Sequence, residues 1–174
     1  MSTPSAKLLV WAGAQCTCVR IIGRANFTSS LDFRTLINEL RQQGCNYFVL
    51  DLAECVLMDS TFLGVLAGFG LKLSAGSGDP SRNGIELLNP NPRITELLDT
   101  LGVLHLFKLT QGPLPLPDQA EPRPHTPGSP TKEEVTLTCI EAHQILSNIS
   151  PANAAKFKDV TQFLAEDLKK SRSE

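Results

Sequence analysis

The sequence predicts an α/β fold with a mostly parallel or mixed sheet of about four to five strands, an N-terminal hairpin and flanking helices. Over residues 1–109, short apolar runs typical of strands alternate with segments that carry apolar residues at helical spacing. Such alternation is typical of layered α/β structures, in which helices cover the sheet. A dense group of prolines then separates this region from a further pair of predicted helices.

The first elements are a strand pair and a helix. Residues 7–12 (KLLVWA) and 16–22 (CTCVRII) are β-prone runs, and the Gly-Ala-Gln between them favours a hairpin. A helix is expected over residues 29–43, because a Thr-Ser-Ser sequence can cap its start and apolar residues follow at helical spacing. Gly44 is the expected stop.

Two strands and a helix continue the alternation further along the chain. Residues 46–52 (NYFVLDL) form an unbroken apolar run, which is typical of a strand covered on both faces. Residues 84–89 (GIELLN) predict another short strand. A helix over 92–101 opens with Asn-Pro and ends before a glycine, and residues 103–109 (VLHLFKL) predict the last strand.

Within residues 58–75 the sequence predicts a helix over 60–75 that is apolar around nearly its whole circumference. Asp59 is a good N-cap, which places Ser60 and Thr61 in the first turn. Three glycines, each costing about 1 kcal/mol relative to alanine, indicate close approach to another element. The helix is therefore either covered by its neighbours or part of a protein–protein interface. Because helix starts favour phosphate, modification of Ser60 could switch such an interface.

The chain divides into a domain (1–109), a Pro-rich linker (110–131) and a C-terminal two-helix extension (132–174). The linker holds seven of the twelve prolines and should be extended. A capping box at Thr131 opens the first helix of the extension, and a Ser-Pro pair opens the second. Each helix has one apolar face, so the pair must dock on the domain, on a partner or on a second copy as a homodimer. We expect docking on the domain, because a short tether makes folding back cost little entropy.

Composition argues against several classes of function. The net charge of -2 leaves no basic excess for nucleic acid. Five cysteines without C-x-x-C spacing and three distant histidines indicate reduced thiols and no metal site. Neither a signal peptide nor a membrane span is expected, so the predicted location is cytoplasmic. No nucleophile elbow, P-loop or dinucleotide motif is present, so neither catalysis nor a cofactor is expected.

The strand at 47–52, a short loop and the heptapeptide MDSTFLG (residues 58–64) together resemble the STAS domain, the fold of anti-sigma factor antagonists. The order of the other elements agrees, so the resemblance covers residues 6 to 109. The family's phosphorylated serine follows an aspartate at this helix start and precedes a Leu-Gly pair. The resemblance therefore implies that Ser60 is the phosphate acceptor, with Thr61 as the second candidate. The motif neighbours of the acceptor are Asp59, Leu63 and Gly64.

The resemblance also implies a partner switch. The unmodified protein would bind a serine-kinase anti-sigma factor through the helix that starts at Ser60 and so free a sigma factor. The same partner would phosphorylate Ser60 with ATP, and a serine phosphatase would reset the switch. Phe62 departs from the family, because many antagonists have glycine at this place. The interface candidates on this helix and before it are Met58, Phe62, Leu66 and Phe69.

Two alternatives remain beside the switch. One is a STAS-type binding or scaffold module, in a signalling complex or beside a transporter, in which Ser60 only caps the helix and is never phosphorylated. The other is an enzyme, against which the missing catalytic motifs argue.

Overall fold

A seven-stranded sheet forms the centre of the fold. The structure is a computed structural model, and it describes residues 5–12, 16–75, 83–116 and 121–173. The strands are β1 (Lys7–Ala12), β2 (Thr17–Ala25), β3 (Tyr47–Asp51), β4 (Cys55–Met58), β5 (Gly84–Leu88), β6 (Lys108–Thr110) and β7 (Arg123–Pro124). The helices are α1 (Phe27–Gln42), α2 (Ser60–Ser74), α3 (Pro92–Thr100), α4 (Lys132–Ile149) and α5 (Pro151–Ser173).

The sheet is mixed, as the sequence predicts. β1 and β2 form an antiparallel pair in which Lys7 lies opposite Ile22 and Ala12 opposite Thr17. β2, β3, β5 and β6 run parallel in that spatial order, while β7 pairs with β1 and β4 pairs with the end of β2. The turn predicted at residues 13–15 lies outside the described residues.

Short strands take the sheet beyond the predicted four to five. β4 was expected to be part of a loop, and β7 lies within the Pro-rich linker. Strands of two to four residues are too short to show an alternating pattern, so periodicity cannot predict them. Residues 103–109, predicted as one strand, divide into a 3-10 turn at Leu104–Leu106 and the strand β6. This turn allows Val103 and Phe107 both to enter the core.

α1 begins two residues earlier than predicted. Its N-cap is Asn26, whose side chain accepts hydrogen bonds from the backbone N–H groups of Thr28 and Ser29 at 3.1 and 3.2 Å. The Ser29 hydroxyl accepts in return from the Asn26 N–H at 3.0 Å, which completes a capping box. Ser29 is therefore the third helical residue and not the cap, because asparagine is as strong a capping residue as serine.

The other helices begin where the sequence predicts. The side chains of Asp59, Asn91 and Thr131 cap α2, α3 and α4, and each accepts a hydrogen bond from the backbone N–H three residues later. α5 begins at Pro151, where the missing N–H of proline costs no helical hydrogen bond. Local capping chemistry alone was sufficient to predict these starts.

The core lies mainly between the sheet and its helices. Its largest buried side chains include Phe33 of α1, Phe48 of β3 and Phe62 of α2. A second, smaller cluster of Trp11, Cys18, Val49 and Leu88 is separate from that core, with Leu114 of the linker packed against it. β3 is thus buried along most of its length, as its unbroken apolar run predicts.

α4 and α5 pack against each other as an antiparallel helical hairpin, called here the C-terminal hairpin (residues 132–173). This hairpin docks on the domain of the same chain. α4 packs along α2, and α5 packs mainly on α4. The Asn153 side chain at the start of α5 donates to the carbonyls of Leu101 and Leu146 at 2.8 and 2.9 Å. The linker returns along the sheet edge, where the His125 N–H donates to the Leu8 carbonyl at 2.9 Å. No helix in the described part of the chain is long and apolar enough to cross a membrane.

Candidate functional site

Ser60 is the first residue of α2, and Asp59 alone separates it from the end of β4. The backbone N–H of Asp59 donates to the carbonyl of Ala25, the last residue of β2, at 2.9 Å. Asp59 Oδ1 accepts from the Phe62 N–H at 2.9 Å, so the carboxylate caps the helix. This confirms the cap that the sequence predicts and places Ser60 and Thr61 in the first turn.

Opposing effects act on the carboxyl group of Asp59. Burial disfavours the charged form and raises its pKa above the ordinary value of 3.8. Hydrogen bonds from the backbone N–H groups of Phe62, Phe27 and Thr61, together with the charge of His143, favour the carboxylate but do not cancel the effect of burial. The folded chain therefore holds the Asp59 proton to a higher pH than the unfolded chain does.

Asp59→Asn is expected to be at least as stable as the parent at neutral pH. The raised pKa means that the folded state binds more protons than the unfolded state just above the ordinary aspartate value, so the contribution of Asp59 to stability falls as pH rises through that window. Asparagine keeps the capping oxygen and removes the buried charge. Denaturant unfolding measures the difference in stability between Asp59→Asn and the parent at neutral pH and at a pH below 3.8, the ordinary pKa of this carboxyl group. The difference should disappear at the lower pH.

Asp59→Ala provides the matched control for this prediction. It removes the charge and the cap together, so we expect a loss of about 0.5–2 kcal/mol relative to Asp59→Asn at neutral pH. An asparagine variant that is less stable than the parent at neutral pH, with the deficit absent at low pH, would show that the charge of Asp59 stabilises the fold.

The hydroxyl of Ser60 is in contact with the C-terminal hairpin. Its Oγ lies 2.8 Å from Nε2 of His143, a residue of α4 that is only 4% exposed. The other ring nitrogen, Nδ1, lies 2.6 Å from the carbonyl oxygen of Cys139, which can only accept a hydrogen bond. In the neutral imidazole Nδ1 therefore carries the proton, Nε2 accepts, and the Ser60 hydroxyl donates.

Thr61, the second predicted acceptor, also faces α4. The residue is buried, and its hydroxyl donates to Sγ of Cys139 at 3.6 Å. Burial raises the pKa of the Cys139 thiol, which is consistent with a neutral sulfur packed against a neutral hydroxyl. The hairpin thus contacts both hydroxyls of the predicted motif and buries that of Thr61.

Glycines let α2 and α4 approach closely, as the sequence indicates for this helix. A Cβ atom at Gly64 would overlap the carbonyl group of Ala142 and come within 2.7 Å of the Ala142 Cβ. At Gly68, one turn later, a Cβ would come within 2.9 Å of Ile145 Cδ1, the end of a flexible side chain. The crossing point of the two helices is therefore at Gly64, where only glycine fits the observed backbone positions.

The predicted interface residues lie in the core. Met58, Phe62, Leu66 and Phe69 are each at most 3% exposed. The ring of Phe62 packs 4.8 Å from that of Phe33 in α1, centroid to centroid, because this face of α2 is turned inward. In the observed conformation a partner cannot contact these four side chains. Leu63 of the motif is likewise buried.

An ion pair borders the contact between the hairpin and the domain. Arg34 of α1 lies 2.9 Å from a carboxylate oxygen of Glu141, and the same guanidinium donates to the Thr138 hydroxyl at 3.3 Å. Both charged side chains are about half exposed, with 40% and 52% of their surface accessible, and such solvent-screened pairs contribute about 0–1 kcal/mol. The ion pair therefore helps to orient α4 on α1 but adds little to the free energy that keeps the hairpin docked.

Comparison with known proteins identifies the family. The family model of the STAS domain matches residues 13–112. This chain belongs to the STAS domain family. The match takes in the whole segment from β2 to β6, including the Ser60 motif, and it confirms the resemblance that the sequence shows.

Solved structures with the STAS fold are similar to this one. The anti-sigma factor antagonist SpoIIAA in its unphosphorylated form matches with a TM-score of 0.50 and 20% identity, over 60% of this chain and 87% of that one. An anti-sigma factor antagonist from Mycobacterium paratuberculosis matches with a TM-score of 0.53 and 21% identity, over 63% and 90% of the two chains. At this level of identity the likeness concerns the fold. A search of curated proteins found no match.

A shallow cleft of about 360 Å³ opens beside Ser60 between the STAS domain and the hairpin. Phe27 and the first turn of α2 form one side. The other side is formed by residues of α4 and α5: Cys139, His143, Lys156, Phe157, Val160 and Leu164. The described residues hold no cluster of three His, Cys, Asp or Glu side chains that could bind a metal ion. The cleft is large enough to admit a small molecule, and its lining includes the ammonium group of Lys156 and the imidazole ring of His143.

Sequence reasoning located one half of this site in the STAS domain and missed the other. Asp59, Ser60 and Thr61 lie together at the predicted helix start. His143 was not predicted, because 83 residues separate it from Ser60 and no spacing rule connects them. Its one local signal is a titratable side chain beside Ala142 on the apolar stripe of α4.

Proposed function

We propose that this STAS domain protein is an anti-sigma factor antagonist that acts as a phosphorylation-controlled partner switch. The observation that carries the proposal is the position of Ser60, in the first turn of α2 directly after the Asp59 cap, within a matched STAS domain. The unphosphorylated protein binds a serine-kinase anti-sigma factor near this helix start. Phosphorylation of Ser60 ends the interaction, and a serine phosphatase restores it.

The chain is the substrate of this chemistry. In the kinase step a bond forms between Ser60 Oγ and the γ-phosphorus of ATP, the bond from that phosphorus to the bridging oxygen of ADP breaks, and the hydroxyl proton leaves. The product carries about 1.5 to 2 negative charges at the start of α2. The dipole of a helix start favours such a charge, which supports the acceptor role of Ser60.

The contact between Ser60 and His143 does not by itself favour an enzyme. A hydroxyl within hydrogen-bond reach of an imidazole is typical of an activated nucleophile. Acyl transfer also needs N–H groups aimed at the developing oxyanion. Here the N–H groups of Thr61 and Phe62 at the helix start are directed at the Asp59 carboxylate. We therefore propose a binding protein and not a catalyst.

Phosphopeptide analysis of the protein from its own cells tests the acceptor. We expect a phosphate on Ser60 in a fraction of the molecules, and no phosphate at this peptide in cells that carry Ser60→Ala. Phosphate on Thr61 and none on Ser60 would contradict Ser60 as the acceptor and identify Thr61 in its place. A protein without phosphate in growth and in stress would contradict the switch.

A binding measurement tests the partner. Each serine-kinase anti-sigma factor encoded in the same genome is purified and titrated with the parent, Ser60→Ala and Ser60→Asp. We expect binding by the parent and by Ser60→Ala, and an affinity lower by about tenfold or more for Ser60→Asp, because the added charge lies at the contact. Ser74→Asp places the same charge at the exposed far end of α2 and should leave the affinity unchanged.

A binding or scaffold module without phosphorylation is the second candidate. It is favoured by the hydrogen bond that already engages the Ser60 hydroxyl in the folded chain. In that case Ser60→Asp would not weaken the interaction with the partner, and Ser60 would be unmodified under all conditions.

A further inference from the structure

The hairpin lies over the one hydroxyl that the proposed function requires to be reached. We propose that the C-terminal hairpin is an intramolecular gate over Ser60, closed in this structure, which must move away before a protein kinase can use the hydroxyl. This inference rests on the proposed role of Ser60 as the phosphate acceptor. It assigns to residues 132–173 a regulatory role at the same site.

The first step of the argument is the space at the hydroxyl. Ser60 Oγ and His143 Nε2 are 2.8 Å apart, a hydrogen-bond distance that leaves no space for a further atom between them. A phosphoryl group on Oγ would bring phosphorus and three further oxygens into the space that the imidazole occupies. His143 is itself held by a hydrogen bond to the carbonyl of Cys139 at 2.6 Å and packs 5.2 Å from the ring of Phe157, centroid to centroid, so turning the imidazole away would break both contacts.

The second step is the access that remains while the gate is closed. Ser60 is half-buried, and its hydroxyl, if it turns away from His143, faces the shallow cleft of about 360 Å³ beside it. A protein kinase must bring ATP, its metal ions and its own catalytic groups around the acceptor oxygen. A cleft of this size is suited to a small ligand and cannot take in the catalytic face of a protein.

The third step is that the hairpin can leave without breaking the sheet. Of the 23 residues of α5, only Asn153 and Phe157 are buried. The hairpin contacts the domain chiefly through α4, which crosses α2 where Ala142 packs on Gly64. Opening breaks the packing of α4 on α2, the ion pair of Glu141 with Arg34 of α1 and the hydrogen bond from Asn153 to Leu101, and it leaves the strands β2, β3 and β5 paired.

Opening would also change the surface that a partner meets. The outward face of α2, with Gly64, Val65 and Gly68, is now covered by α4. Small residues four positions apart on a helix allow a second helix to cross closely. A departing hairpin therefore exposes an apolar, glycine-lined helix face beside a free Ser60 hydroxyl, and a partner helix with a small residue at its crossing point would fit this face.

A reactivity experiment on the full chain tests the gate without knowledge of the kinase. Ser60→Cys places a thiol at the acceptor position, and the probe is a maleimide that carries a polyethylene glycol chain, whose bulk resembles that of a protein more than that of a small ligand. Two further substitutions are designed to open the gate from opposite sides: Gly64→Ala in α2 and Ala142→Arg in α4. Their matched controls are Gly68→Ala and Ala155→Arg, the latter at an exposed position of α5.

Modification is measured on the peptide that carries position 60, since the chain also has five native thiols, among them Cys139 beneath the same hairpin. We expect slow modification of position 60 in the closed protein, and modification faster by about tenfold or more with either opening substitution. The two controls should match the closed protein. Hydrogen exchange must show that β3 and β5 stay protected while α4 loses protection, so that the faster reaction reports opening and not unfolding. The proposal is overturned if the closed protein reacts as fast as it does in denaturant, or if α4 is released without faster modification.

The outcomes separate this inference from the function on which it rests. Slow modification that the opening substitutions accelerate, in a protein that never carries phosphate in cells, would support the gate and contradict the phosphorylation switch. Phosphate on Ser60 in cells, with a position 60 that is freely reactive in the closed protein, would support the switch and overturn the gate.

Discussion

Phe62→Ala is expected to lower the free energy of unfolding by about 3–5 kcal/mol. The ring of Phe62 is fully buried and packs against Phe33, 4.8 Å between centroids, where α1 meets α2. Its removal would leave a cavity between two helices and the sheet, because the surrounding side chains can close such a space only in part. Denaturant unfolding followed by circular dichroism measures the loss, which should appear as a lower midpoint at an unchanged slope.

Phe163→Ala is the control for this prediction. Phe163 lies on α5 and is 69% exposed, so its removal should change stability by no more than about 0.5 kcal/mol. The pair of variants decides between a core role and an interface role for Phe62. A Phe62→Ala protein that keeps the parent's stability and loses only partner affinity would show that the ring belongs to an interface, as the sequence pattern predicts.

Asn153→Ala is expected to cost about 2–4 kcal/mol, because it removes the donor that two carbonyls share. The side-chain amide of Asn153 is buried and donates to Leu101 at the end of α3 and to Leu146 near the end of α4. Without it both carbonyl oxygens lose a partner that water does not readily replace. Denaturant unfolding measures the loss, and hydrogen exchange should show α5 loosening first.

Two further variants show whether the loss comes from the hydrogen bonds. Asn153→Asp keeps the size of the side chain but turns a donor into a carboxylate, so it should be at least as destabilising as alanine. Asn148→Ala, at an exposed position of α4, should change stability by less than about 0.5 kcal/mol. A stable Asn153→Asp protein would show that the two carbonyls do not depend on this side chain.

Predictions from local chemistry agree well with the structure. The caps at Asp59, Asn91 and Thr131 and the proline at the start of α5 set helix starts that the structure confirms. The strands β1, β3 and β5 carry apolar runs long enough to be recognised. Each of these signals is complete within a few residues, so no other part of the chain is needed to interpret it.

Errors occurred where two local signals competed or where a signal was too short. Asn26 and Ser29 both suit a helix cap, and the chain uses them together in one capping box. The strands β4 and β7 have four and two residues, and they form where the last residues of β2 extend beyond β3 and where β1 offers a sheet edge for pairing. The division of residues 103–109 follows from the core positions of Val103 and Phe107, which strand periodicity does not describe.

The motif at Ser60 shows most clearly what sequence and structure each contributed. By itself the sequence determined the α/β class, the STAS resemblance, the Asp59 cap and the place of Ser60 in the first turn of a helix, since these depend on neighbours along the chain. Only the tertiary structure decided that Phe62 faces the core and that His143 contacts Ser60. An all-round apolar helix has no preferred outward face until its neighbours are in place, and a contact between residues 83 apart exists only after the hairpin has docked.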